Sequence, residues 1–114
     1  MTAAKRRFVI NKLLSKKNVV SKAATRYVAA GFSVTVNPPL KGVDFIAIRK
    51  NIKYAGIVLW KKKKYGEEVI SKAKEIAMKY NVKPVILLYG SGPRIDKEIV
   101  LKAKEEGIII RRIR

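Results

Sequence analysis

Residues Val82–Tyr89 form an apolar run that is unbroken from Val85 onward, and this run constrains the fold most. A strand apolar on both faces must be covered on both faces, so it belongs in the interior of a layered sheet. Helical patterns flank it. Val69, Ile70, Ala73, Ile76, Ala77 and Tyr80 recur at helical spacing within Gly66–Tyr80, and Ile95, Ile99, Val100 and Ala103 do so within Arg94–Glu106. Gly90-Ser91-Gly92-Pro93 leads into the second helix, with Pro93 near its first position and Gly107 at its stop, before a last strand Ile108–Ile110 and a closing Arg-Arg-Ile-Arg. Upstream, Phe32, Val34 and Val36 alternate with polar residues until Pro38-Pro39. Val43–Arg49 and Lys53–Trp60 then read as a hairpin around Lys50-Asn51-Ile52. Val20, Ala23, Ala24, Tyr27 and Val28 mark a helix ending at Gly31, and Phe8, Val9, Leu13 and Leu14 mark a basic amphipathic helix over residues 4–17. The expected class is α/β: a single domain with a mixed β-sheet flanked by helices in the order αβββαβαβ, with parallel crossovers beside an antiparallel hairpin. Residues 1–17 are assigned to the basic N-terminal helix, part of the same unit, and residues 18–114 to the α/β domain.

The 114 residues suit one domain, and 48% hydrophobic against 31% charged residues excludes a disordered basic tail. With neither Cys nor His, the chain has no disulfide, no thiolate zinc site and no imidazole base. Gln is absent, and Lys, Ile and Val are abundant, a composition compatible with life at high temperature. No apolar run approaches the ~20 residues of a membrane span, and no cleavage site follows the basic start, so a cytoplasmic, nucleoid-associated protein is expected.

The charge is segregated. Residues 1–65 hold sixteen of the 27 basic residues and one acid, Asp44, whereas Gly66–Tyr80 and Arg94–Glu106 are each neutral. A net charge of +19 arranged in this way points to one face built for a polyanion. The candidate contacts are Lys5, Arg6, Arg7, Lys12, Lys16, Lys17, Lys22, Arg26, Lys41, Lys61, Lys62, Lys63, Lys64, Arg111 and Arg112, together with Trp60, which suits either the core or a base-stacking role. Binding of acidic lipid by the first helix is the weaker alternative, so no membrane partner is assigned. The Gly-Ser-Gly-Pro loop reads as an ordinary turn and cap, since it lacks the fuller phosphate-binding motifs.

Four segments stand in order: Ala-Gly-Phe-Ser-Val after a helix, Lys-Gly-Val-Asp-Phe-Ile-Ala-Ile, Lys-Tyr-Ala-Gly-Ile-Val-Leu-Trp-Lys-Lys-Lys-Lys, and Val-Lys-Pro-Val-Ile-Leu-Leu-Tyr before the last helix and strand. Through them the chain, over roughly residues 18–113, resembles the restriction-endonuclease-like fold with the PD-(D/E)xK signature, and within it the archaeal Holliday-junction resolvases. The resemblance implies a homodimer and phosphodiester cleavage at Mg²⁺ held by carboxylates. Asp44 occupies the first carboxylate position. The second falls on Val58 or Leu59, its lysine partner falls on Trp60 or Lys61, and Asn18–Ala30 contains no acid.

Three functions follow as expectations. The first is a nucleic-acid-binding protein, DNA ahead of RNA, directed to the backbone with little sequence readout, catalytically inactive and without a cofactor. The second is a Mg²⁺-dependent endonuclease or junction resolvase in which Asp44 joins a displaced Glu67 or Glu68. The third is a non-catalytic subunit of a complex similar to the tRNA-splicing endonucleases. For Asp44 itself, a carboxylate satisfied by a lysine or a turn amide ranks ahead of a metal ligand.

Overall fold

The computed structural model describes residues 16–113. A helix α1 (Lys16–Ala29) leads into strands β1 (Ser33–Val36), β2 (Phe45–Arg49) and β3 (Ile52–Leu59), then a two-residue strand β4 (Lys64–Tyr65) and helix α2 (Glu67–Tyr80). Strand β5 (Lys83–Tyr89), a second two-residue strand β6 (Arg94–Ile95), helix α3 (Lys97–Glu105) and strand β7 (Ile109–Ile113) complete it. The main sheet has the order β1-β2-β3-β5-β7. β1, β2 and β3 pair antiparallel, while β3, β5 and β7 run parallel. This is the expected α/β class with a mixed sheet.

Both sheet faces are covered, as the run in β5 requires. Val85 and Leu87 pack with Val19, Val20, Ala23, Ala24, Phe45, Ala47 and Val58 on the α1 side. Ile86 and Leu88 pack with Val69, Ile70, Ala73, Ile76 and Ala103 on the side of α2 and α3. Each fully buried aliphatic side chain contributes about 1.5–3 kcal/mol. The α1 side also contains a close approach. A Cβ on Gly56 would lie 2.2 Å from the Phe45 ring, so only glycine lets β3 pass beneath that ring.

Four expectations change at the element boundaries. The first-helix assignment over residues 4–15 lies outside the described residues, but α1 begins at Lys16 and continues through Asn18, so the 17/18 boundary falls inside a helix. The hairpin turn is the two residues Lys50 and Asn51, both at positive φ (50° and 66°), while Ile52 already pairs with Arg49. This is the type I′ geometry, whose twist matches that of the strands it joins. The last helix starts at Lys97 rather than Arg94, because Arg94 and Ile95 form β6 in parallel register with Lys64 and Tyr65. Pro93 therefore precedes a strand and does not open the helix. Finally, the last strand does not stop at Ile110: Arg111 and Arg112 belong to β7, paired with Leu87 and Leu88.

Candidate nucleic-acid interface

The parallel strands β3, β5 and β7 point their carboxyl ends to one edge of the sheet, and antiparallel β2 brings its amino end there too. That edge gathers Asp44, Trp60 with Lys61–Lys63, and the loop Gly90–Pro93. Edges of this kind are where open α/β sheets place their ligands.

Asp44 is half-buried just before β2, and its Oδ2 accepts a hydrogen bond from the Val58 amide at 2.7 Å. Its own amide donates to the Gly56 carbonyl at 2.9 Å, which ties the residue to β3 just before β2 begins. The two positions available for a second carboxylate are both apolar: Val58 is buried on the α1 side, and Leu59 packs on the opposite face. Glu67 pairs with Lys102 of α3 at 3.2 Å. Glu68 folds back to accept from the Gly66 amide at 2.9 Å, and this bond, with that of its own amide, lowers its pKa from 4.5. Both glutamates thus serve the start of α2. Among the described residues, no group of three or more acidic side chains could hold a metal ion.

Lys61, Lys62 and Lys63 are all exposed on a loop that is locked from below. The Arg94 amide donates to the Lys63 carbonyl at 2.9 Å, and a Cβ on Gly92 would meet Lys62 Cα at 3.1 Å, so the Gly90–Pro93 loop lies directly against the lysine loop. That second loop is held in turn by β7. The Arg112 guanidinium donates to the Gly90 carbonyl at 2.5 Å and to the Pro93 carbonyl at 2.8 Å, and the Gly90 amide donates to the Ile113 carbonyl at 2.7 Å. Arg112 therefore shapes the edge through backbone contacts. Lys64 pairs with Asp96 at 3.0 Å, and Lys63 Nζ stands 4.9 Å from the centroid of the Tyr65 ring. Trp60 sits half-buried at the margin of the α1-side core.

The remaining candidates are dispersed. Lys22 and Arg26 are exposed on α1, and Arg26 lines a cavity on the α1 side together with Arg111. Lys41 lies away from that cavity, in a groove of about 590 Å³ with Lys72, Glu75 and Lys79 of α2. The neutral sum over Gly66–Tyr80 concealed this partition. Lys74 faces Glu106 at 2.9 Å and Glu67 faces Lys102, while Lys72 and Lys79, seven residues apart, face Lys41. Their spacing was the available signal. Lys5, Arg6, Arg7 and Lys12 lie outside the described residues, and Lys16 and Lys17 open α1.

No protein-family model and no curated protein matches the sequence. Solved structures do. The chain is similar to a protein of unknown function, AF1548, at 16% identity and a TM-score of 0.67, over 83% of this chain and 58% of that one. It is similar to a repair endonuclease from Pyrococcus abyssi at 18% identity and a TM-score of 0.55, over 78% and 41%. It is also similar to SfsA of Pyrococcus furiosus, solved in complex with Ca²⁺, at 12% identity and a TM-score of 0.51, over 84% and 53%. The fold is restriction-endonuclease-like. The chain spans about half the length of these neighbours. Among the described residues no helix is long and apolar enough to cross a membrane.

Proposed function

We propose that this protein binds nucleic acid, DNA ahead of RNA, through the phosphate backbone, on a nuclease-like fold that does not itself cut. One observation carries the reading. At the ligand-bearing edge of the sheet the Asp44 carboxylate is engaged by the Val58 amide with apolar residues where a second carboxylate would stand, while three exposed lysines project from a braced loop. Mg²⁺ binds through several oxygens, of which the described residues of this edge supply one carboxylate, whereas consecutive exposed lysines on a backbone-held loop suit phosphates. The likeness to a repair endonuclease supports a nucleic-acid substrate. A homodimer and association with the nucleoid are part of the same proposal, the first from the family resemblance and the second from the net charge.

A gel-shift series tests it, using single-stranded, duplex and four-way-junction DNA and RNA, with Mg²⁺ and with chelator. If ~6 phosphates are neutralised, log K falls against log salt with a slope of roughly −5, and no product appears under either condition. Replacing Lys61, Lys62 and Lys63 by alanine flattens that slope by roughly 3 across all sequences. Affinity indifferent to salt, or metal-dependent cleavage abolished by Asp44→Ala, overturns the proposal.

A further inference from the structure

On the α1 side of the sheet, β5 and β7 line a cavity of about 380 Å³ that the lysine loop does not use. Its floor is Val85, Leu87, Ile109 and Ile113, and its wall is aromatic: Tyr27, Phe32 and Tyr54. Arg26 and Arg111 stand at it, and among the described lining residues none is acidic.

The rings brace one another. Tyr27 and Phe32 pack edge to face with centroids 5.3 Å apart, Phe32 and Tyr54 do the same at 5.7 Å, and Tyr27 leans on the buried Phe45 at 5.2 Å. Phe32 is fixed further by the Arg49 guanidinium, 5.7 Å from its centroid, which also donates to the Ala30 carbonyl at 3.1 Å. The wall is therefore set before any ligand arrives, so binding orders few side chains. Burial raises the Tyr27 pKa above 10, although nearby Arg111 opposes the rise. The phenol stays protonated near neutral pH and can donate a hydrogen bond.

An apolar floor, a preset aromatic wall and the exposed Arg111 guanidinium fit a flat ring attached to an anion. Guanidinium forks match phosphate oxygens, and aromatic side chains accept the face of any base. The volume is at the lower end of the ~300–1,000 Å³ range of small-ligand sites, which suits about one nucleotide. The cavity also reaches the lysine edge. Ile113 at its end accepts from the Gly90 amide, and the Gly90–Pro93 loop abuts Lys62.

We infer that this cavity is a nucleotide subsite that takes one unstacked base with its phosphate, Arg111 holding the phosphate and Tyr27 and Tyr54 contacting the base. As a pocket for a nucleotide of the bound polymer, the inference rests on the nucleic-acid reading above. As a pocket for a free mononucleotide, it stands without it.

The test uses two probes on the full chain: AMP, followed by calorimetry, and duplex DNA with one unpaired 2-aminopurine, followed by fluorescence. Either AMP binding or quenching of the unpaired 2-aminopurine is expected, and each weakens about tenfold in Arg111→Gln and in Tyr54→Leu. Arg111 is exposed, so its substitution leaves the fold intact even if Tyr54→Leu does not. AMP binding without quenching assigns the site to free nucleotide; quenching without AMP binding assigns it to the polymer. Neither signal, signals indifferent to Arg111→Gln, or equal binding of inorganic phosphate overturns the inference. The variant with Lys61, Lys62 and Lys63 replaced by alanine separates the two proposals, because it loses duplex affinity and keeps AMP. Lysine-dependent duplex binding with neither pocket signal sinks the subsite alone, and AMP binding without duplex binding sinks the nucleic-acid reading alone.

Discussion

The two faces of the sheet are built from different materials. Beneath α2 and α3 the core is mainly aliphatic, with Tyr65 buried in it and Tyr80 at its margin, and the surface above it carries ion pairs, Lys74 with Glu106 and Lys102 with Glu67. Beneath α1 the core is rich in aromatic residues, with Phe45 buried and Tyr27, Phe32 and Tyr54 around it, and α1 has no acid at all. Seven of the eight acids follow residue 65, within or beside the helices of the first face. Concentrating the carboxylates there leaves a surplus of positive charge on the segments that build the α1 face and the lysine edge. The like-charge repulsion this creates is offset by burial, which the packed rings and the β5 run supply.

The sharpest way to break this comparison is Phe45→Ala, which removes the anchor of the aromatic face. A loss of about 3–5 kcal/mol is expected in urea denaturation. A loss below ~1 kcal/mol would mean that the face is not a packed core.

Arg112→Ala comes next. It leaves the Gly90 and Pro93 carbonyls without a charged donor, a cost of about 1.5–3 kcal/mol. It should also lower duplex affinity by more than Arg112→Lys does, since lysine keeps the charge and loses the two-pronged hold. Equal affinity loss in the two variants would make Arg112 a direct phosphate contact and not a brace.

Asp44→Ala should cost about 1–2 kcal/mol through the orphaned Val58 amide, while binding stays intact or tightens. Weaker binding in a folded variant would contradict the charge argument.

On the ion-paired face, Lys102→Ala should shift stability by no more than about 1 kcal/mol, because both partners are exposed. A larger change would show that the seam between α2 and α3 is structural.

The smallest effect concerns Glu68. Its folded pKa is depressed, so the stabilisation it gives is present above 4.5 and is lost as pH falls through the lowered value. Acid titration of Glu68→Ala should show a shallower loss in that window than the parent chain, and identical curves would remove Glu68 from the helix start.

Element order was legible because each main element has its own period: the Val34/Val36 alternation, the β5 run and the Val69–Tyr80 stripe. The two-residue strands were not. Lys64-Tyr65 looks like the end of a charge run and Arg94-Ile95 like a first helical turn; each becomes a strand only because the other lies beside it. The candidate edge was legible in Asp44 and Lys61–Lys63, since strand polarity alone brings them together. Arg112 read as a nucleic-acid contact, because a guanidinium that braces two carbonyls has the same sequence signature as one that meets phosphate. The α1-side cavity left no local trace, as its lining comes from α1, the segment after it and three separate strands.

The brace from Arg112 to the loop beside Lys62 also bears on the timing of folding. The lysine loop is laid down some fifty residues before the side chain that shapes it. A ribosome emitting this chain therefore releases the charged loop well before its support, and the edge can mature only when β7 closes onto β5. Because contacts of such long sequence separation form slowly, affinity for polyanions should appear as a late kinetic phase, after helix content has already reached its final value.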